Sequence, residues 1–172
     1  MPITRTQTKL GKSFPALDQN VPGYNRLENS VQSDDLHPAT IQYAEVAISI
    51  AQLKACRATP ISLVAAPGAG YVTEFVSALF IYDYAAAYTE TADNLVIRET
   101  DGSGTVVSLT LETTGFLDAT ADKMSTIKPL ATDILQLADK ALVLHNTGDG
   151  EFGGTGSPCR VKVAYRVHAT GL

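Results

Sequence analysis

The run Arg160-Val161-Lys162-Val163-Ala164-Tyr165-Arg166-Val167-His168 constrains the fold more than any other stretch of this chain. Val161, Val163, Tyr165 and Val167 share one parity; Arg160, Lys162, Arg166 and His168 share the other. Side chains alternate across a strand with period two, so this run predicts a strand with one face in a core and one in solvent. Such a strand belongs to an antiparallel sheet with a second layer against its apolar face.

The preceding sequence supplies further short strands. Ile61 to Ala66, Tyr71 to Tyr84, Asn94 to Glu99, Thr105 to Glu112, Lys123 to Pro129 and Ala141 to His145 each read as one. In Thr105 to Glu112, Val107, Leu109 and Leu111 are expected on the core face. Asp101-Gly102-Ser103-Gly104 predicts a hairpin with the strand before it, and Pro67-Gly68-Ala69-Gly70 is read as another hairpin turn. Gly115 to Asp118 starts a loop, and residues 146–156 form a loop with five glycines. Ala47 to Cys56 reads as a strand end followed by one or two helical turns. Ser49 is the expected N-cap, because its hydroxyl can accept an orphan N–H of the first turn. Pro60 ends any helix by the residue before it. Many short strands with almost no helix predict an all-β chain, a jelly-roll-like β-sandwich. No βαβ alternation and no internal repeat is present.

The chain of 172 residues divides near residue 44. Residues 1–44 carry Pro2, Pro15, Pro22 and Pro38 and no sustained period. This segment is expected to be an extended, mostly irregular N-terminal arm, and residues 45–172 the sandwich domain. Apolar residues spaced along the arm, Phe14, Leu17, Tyr24 and Leu27 among them, read as anchors that order against neighbouring subunits. Arg5, Lys9 and Lys12 make its tip basic. These seven residues are the candidate interface set.

Composition excludes several functions. Apolar residues make up 45% of the chain, enough for a core, so wholesale disorder is not expected. The net charge of -5 argues against a nucleic-acid binder, which needs a basic face. No apolar run approaches the roughly 20 residues that span a bilayer, and Tyr71 to Tyr82 is interrupted by Glu74, so no membrane partner is expected. No apolar h-region follows Met1, which predicts no signal peptide and synthesis in a cytoplasm. Cys56 and Cys159 lie far apart without metal spacing and are expected as buried thiols.

No segment carries an assembled chemistry. Gly68-Ala69-Gly70 lacks the Lys-Ser/Thr of a phosphate loop and precedes a strand. Glu112, Asp118, Asp122 and Asp133 fit no cation loop and are expected on solvated loops. Asp149 and Glu151 are a weak candidate for a calcium ion, and the same loop for a glycan. His37, His145 and His168 are isolated. A hydrolase or lyase on this scaffold would require His145 or His168 beside two carboxylates in a cleft. Tyr71, Phe75, Phe80, Tyr82, Tyr84 and Tyr88 could line a carbohydrate groove, but core packing explains them more simply. The expectation is therefore a non-enzymatic protein with no cofactor, no metal and no catalytic residues.

The order of several segments resembles small virion proteins of tailed bacteriophages. These are Ala58-Thr59-Pro60-Ile61-Ser62-Leu63-Val64-Ala65-Ala66-Pro67-Gly68-Ala69-Gly70, the aromatic Phe80-Ile81-Tyr82-Asp83-Tyr84 with Tyr88, Asn94-Leu95-Val96-Ile97-Arg98, Gly115 to Asp118, and Val161 to Val167. The resemblance covers Ala47 to Val167. It implies a structural virion protein, a head decoration (cement) protein on the capsid exterior, self-associated as a homotrimer and bound to the major capsid protein. A head-fibre, tail or receptor-binding component is the alternative. A clamp on several coat subunits would gain from multivalency, and an extended arm reaches about 3.3 Å per residue to a neighbour's sheet edge.

Overall fold

The computed structural model describes residues 7–9, 12–14, 40–89 and 94–171. The chain forms two compact units, Met1–His37 and Pro38–Leu172. In the first, β1 (Gln7–Lys9) and β2 (Lys12–Phe14) pair antiparallel, with Thr8 opposite Ser13 and Lys9 opposite Lys12. Of the candidate interface residues, Lys9, Lys12 and Phe14 fall on these strands. Their side chains, and Arg5, Leu17, Tyr24 and Leu27 entirely, lie outside the described residues.

The second unit is a β-sandwich. Its strands are β3 (Gln42–Ile48), β4 (Ile61–Val64), β5 (Tyr71–Tyr82), β6 (Tyr88–Thr89), β7 (Asn94–Glu99), β8 (Leu111–Glu112), β9 (Lys123–Ile127), β10 (Leu142–Asn146), β11 (Gly153–Gly154) and β12 (Cys159–Ala169). β3 thus begins at Gln42, inside the segment read as arm. One sheet runs β3-β12-β5-β9 and the other β4-β10-β7-β8; β6 and β11 form a separate ribbon. Every pairing is antiparallel. Counted along the chain as strands one to eight, the two sheets read 1-8-3-6 and 2-7-4-5. That is the strand order of an eight-stranded jelly roll, two Greek keys laid face to face.

The strand that constrained the sequence reading sits at the centre. β12 pairs with β3 on one side and with β5 along its whole length on the other. Cys159, Val161 and Val163 are buried, while Arg160 and Lys162 face solvent. Inward residues of both sheets fuse into one core that includes Ile48, Phe80, Tyr82, Leu95, Ile97, Leu142, Leu144 and Val161. β5 keeps its apolar phase only by means of a bulge. Ala164 of β12 faces Ser77 and Tyr165 faces Phe75, so Val76 is an extra residue. Thr73 and Phe75 therefore point inward with Ala78, Phe80 and Tyr82.

Helix α1 (Ile50–Lys54) starts as expected. Ser49 holds the N-cap and closes a reciprocal capping box with Gln52: the Ser49 hydroxyl accepts from the Gln52 N–H at 3.3 Å, and the Gln52 side chain accepts from the Ser49 N–H at 2.9 Å. The buried Leu53 pins the helix to the core.

Three sequence expectations are corrected. Residues 67–70 are a turn, with Tyr71 N–H donating to the Gly68 carbonyl at 3.2 Å and Gly68 and Gly70 at φ of +100° and +80°. They join strands of opposite sheets, however, and so make a corner of the sandwich rather than a hairpin. The predicted strand Thr105 to Glu112 is regular only at Leu111–Glu112. Before that, Val106 bridges Arg98 and Ser108 bridges Pro129, so the segment leaves β7 for the residues after β9. That bend turns Leu109 out, 43% exposed, while Val107 and Leu111 stay buried. The aromatic strand ends at Tyr82 rather than Tyr84.

Candidate functional site

A crevice of about 500 Å³ opens on the outer face of the β4-β10-β7-β8 sheet. Two adjacent strands build its floor. Arg98 of β7 faces Val143 of β10, and His145 of β10 faces Val96 of β7, which puts Arg98 and His145 on one diagonal of the sheet. The turn after β7 covers the ring: a Cβ at Gly102 would lie 2.6 Å from His145 Nε2, so any side chain there would push the imidazole aside. Arg57 reaches in from the turn after α1, and the β10–β11 loop forms the remaining wall through Asn146, Gly148 and Glu151.

Both carboxylates of the crevice are held by N–H groups. Glu151 accepts from the backbone N–H of Arg57 at 3.1 Å and of Ala58 at 2.8 Å. Asp101 Oδ1 accepts from the Ser103 N–H at 2.8 Å and from its hydroxyl at 2.9 Å. These bonds, the backbone one first, hold the Asp101 carboxyl below its usual range. The loop itself is tied by Asn146, whose Nδ2 donates to the Gly150 carbonyl and whose Oδ1 accepts from the Gly148 N–H.

The cations are differently placed. Arg57 Nε donates to the Gly148 carbonyl, and Arg98 Nη1 donates to the Gly104 carbonyl at 3.1 Å. Among the described residues the ion pairs join Glu45 to Arg160 and Lys162, and Glu74 to Arg166 and His168; none includes Arg57 or Arg98. The Nε of Arg98 and the Nδ1 of His145 are buried without a hydrogen-bond partner. Burial above all, then the Arg98 and Arg57 charges, push the His145 pKa below its ordinary value; the Arg57 backbone and Glu151 act the other way. The ring is thus neutral at neutral pH.

The catalytic requirement set from sequence is met in inventory, since His145 shares a cleft with Asp101 and Glu151. It is not met in bonding: neither carboxylate is hydrogen-bonded to the imidazole, and both serve the loop backbone. His168 Nε2 does lie 2.8 Å from Glu74, but on the outer face of the other sheet beside Arg166.

Several of the remaining sequence candidates pack the core or close loops, while Tyr71 and Tyr84 are exposed. Phe75, Phe80, Tyr82 and Tyr88 are core residues, with Phe80 and Phe116 edge to face at 5.6 Å. Asp118 accepts from the Gly115 N–H and Asp122 from the Tyr84 N–H, which closes two loops. Among the described residues, no three of His, Cys, Asp and Glu are grouped to hold a metal ion. Cys56 and Cys159 are buried thiols, and burial pushes Cys159 up to about 12. The sequence reading missed Arg57 and Arg98. The available signal was the outward parity of Arg98 beside a glycine-rich turn.

Apolar side chains also remain in water. Leu135 is 83% exposed and Leu137 53% on the strap before β10; Tyr43 is 77% exposed on edge strand β3 and Met124 71% on edge strand β9. Among the described residues no helix is long and apolar enough to cross a membrane.

No family model and no curated protein matches the chain. Among solved structures, it is similar to a chain of the "Cyanophage Pam1 capsid asymmetric unit", at 12% identity over 74% of this chain and 83% of that chain, with a TM-score of 0.42.

Proposed function

We propose that this protein is a non-enzymatic structural component of a tailed-phage virion, a decoration or cement protein that self-associates, as a homotrimer, and binds the major capsid protein on the outside of the head. The observation that carries this reading is the set of large apolar side chains left in solvent on a well-packed jelly roll, Leu135 and Tyr43 foremost. A body with so complete a core gains nothing in its own stability from exposing them, and they suit burial between subunits. The ordered series of segments from Ala47 to Val167 that resembles small phage virion proteins supports the same reading. The fold does not choose the function by itself, because jelly rolls serve capsid, lectin and enzyme roles.

The arm, with Arg5, Lys9, Lys12, Phe14, Leu17, Tyr24 and Leu27, is the proposed second contact with neighbouring subunits. Its ordering entropy would be offset only in the assembled lattice.

The test is native mass of the purified protein followed by co-sedimentation with expanded capsids. A trimer bound in hundreds of copies per head is expected. Binding in a handful of copies would move the protein to a fibre or tail. A monomer that ignores capsids would overturn the proposal.

A further inference from the structure

We infer that the crevice of Arg57, Arg98 and His145 is an oxyanion site, taking a carboxylate or phosphate group between the two guanidiniums. Each arginine has five N–H donors in a rigid fork, and each uses one on a loop carbonyl. The two carboxylates that share the crevice accept from the loops that they close, Glu151 through both oxygens and Asp101 through Oδ1. Two positive charges therefore share one cavity with no ion-pair partner among the described residues.

An unpaired guanidinium on open surface is ordinary. Two in one crevice, one of them half-buried with its Nε cut off from water, leave donor capacity that an oxyanion satisfies bidentately. At His145 the Arg98 and Arg57 effects each outrank that of Glu151. A cation would find three of the four carboxylate oxygens already accepting hydrogen bonds. A sugar would need an aromatic platform, and neither Phe, Tyr nor Trp lines the crevice. The volume of about 500 Å³ admits a phosphate or an acidic side chain with its flanking residues.

The test uses the full chain, with inorganic phosphate, glutarate and a short oligoglutamate peptide titrated separately at constant ionic strength. The readout is the Nε–Hε resonances of Arg57 and Arg98 and the amides of Gly102 and Ser103. Saturable shifts are expected with at least one of the three. Arg57→Gln should weaken binding by about tenfold, the scale of one charge-assisted pair, and Arg57→Gln with Arg98→Gln should abolish it. Arg57 is exposed, so its variant tests the site without threatening the fold. Binding of the peptide alone would identify an acidic side chain of a partner protein as the occupant. Binding of phosphate alone would identify a free phosphate. No shift with any of the three, or binding unchanged in Arg57→Gln, overturns the inference.

Discussion

Glu151 is bonded to the backbone of Arg57 across 94 residues of chain, at 3.1 Å. With its second bond to Ala58, this one carboxylate seats the glycine-rich loop on the turn after α1 and fixes the mouth of the crevice. A loop with five glycines has much entropy to lose, so its order depends on few anchors. Glu151→Ala should cost about 1 kcal/mol, the scale of an exposed charge-assisted bond. It should also raise amide exchange from residue 147 to residue 150. Hydrogen exchange that leaves those amides as protected as before would refute the anchor.

Ser157 is the corresponding anchor inside the core. It is fully buried, and its Oγ accepts from the N–H groups of Ala85 and Ala86, both at 2.8 Å, while donating to the Ala86 carbonyl. The Tyr88 hydroxyl donates to the Ser157 carbonyl at 2.6 Å. Ser157→Ala removes the acceptor of two part-buried N–H donors and should cost about 1–3 kcal/mol. Ser157→Cys, with a poorer acceptor of similar shape, should lose almost as much. Urea unfolding measures both, and a loss below about 0.5 kcal/mol for the alanine variant would show that other groups rescue the loop.

Glu99 predicts a pH dependence. It is 2% exposed, and burial raises its pKa, against weaker lowering by the Leu137 backbone and Lys140. An acid whose folded pKa is raised binds its proton more tightly when folded. The stabilisation is complete below the ordinary value of 4.5, and it is lost as pH rises through the folded value. Glu99→Gln keeps the shape without the charge, so its stability relative to the native protein should grow from about pH 4.5 upward and then level off. Unfolding curves from mildly acidic to neutral pH measure this. A difference that stays flat with pH would remove Glu99 as the cause.

The strands were legible because their signal is local. Val161, Val163 and the charges between them state their period outright, and Ser49 with Gln52 states a helix start. The corner at Gly68 and Gly70 was not legible, because a turn within a sheet and a turn between sheets use the same residues. What separates them is the distant pairing of β4 with β10. Leu109 misled for a related reason: its alternation is correct until Ser108 bridges Pro129, a contact that local sequence does not carry. The crevice was hidden in the same way, since Arg57, Arg98 and His145 meet only through β10–β7 pairing and the loops above it.

The bulge at Val76 gives the sharpest test of how register holds this fold. Strand side chains alternate, and a bulge residue is the one that this alternation does not count. The central pairing fixes Ala78, Phe80 and Tyr82 opposite Val163, Val161 and Cys159, and Ser77 and Phe75 already face the consecutive Ala164 and Tyr165. Deleting Val76 therefore leaves a regular ladder: Thr73 and Phe75 still point inward, and Glu74 still meets Arg166 and His168. Its cost should stay below about 1.5 kcal/mol, that of local backbone adjustment. Deleting Phe75 closes the same bulge but puts Val76 in the inward place, and losing the buried ring should cost about 1.5–3 kcal/mol more. Thermal and urea unfolding of the two deletions decide it: a Val76 deletion as damaging as the Phe75 deletion would mean that the bulge itself, and not the inward phase of Phe75, holds this half of β5.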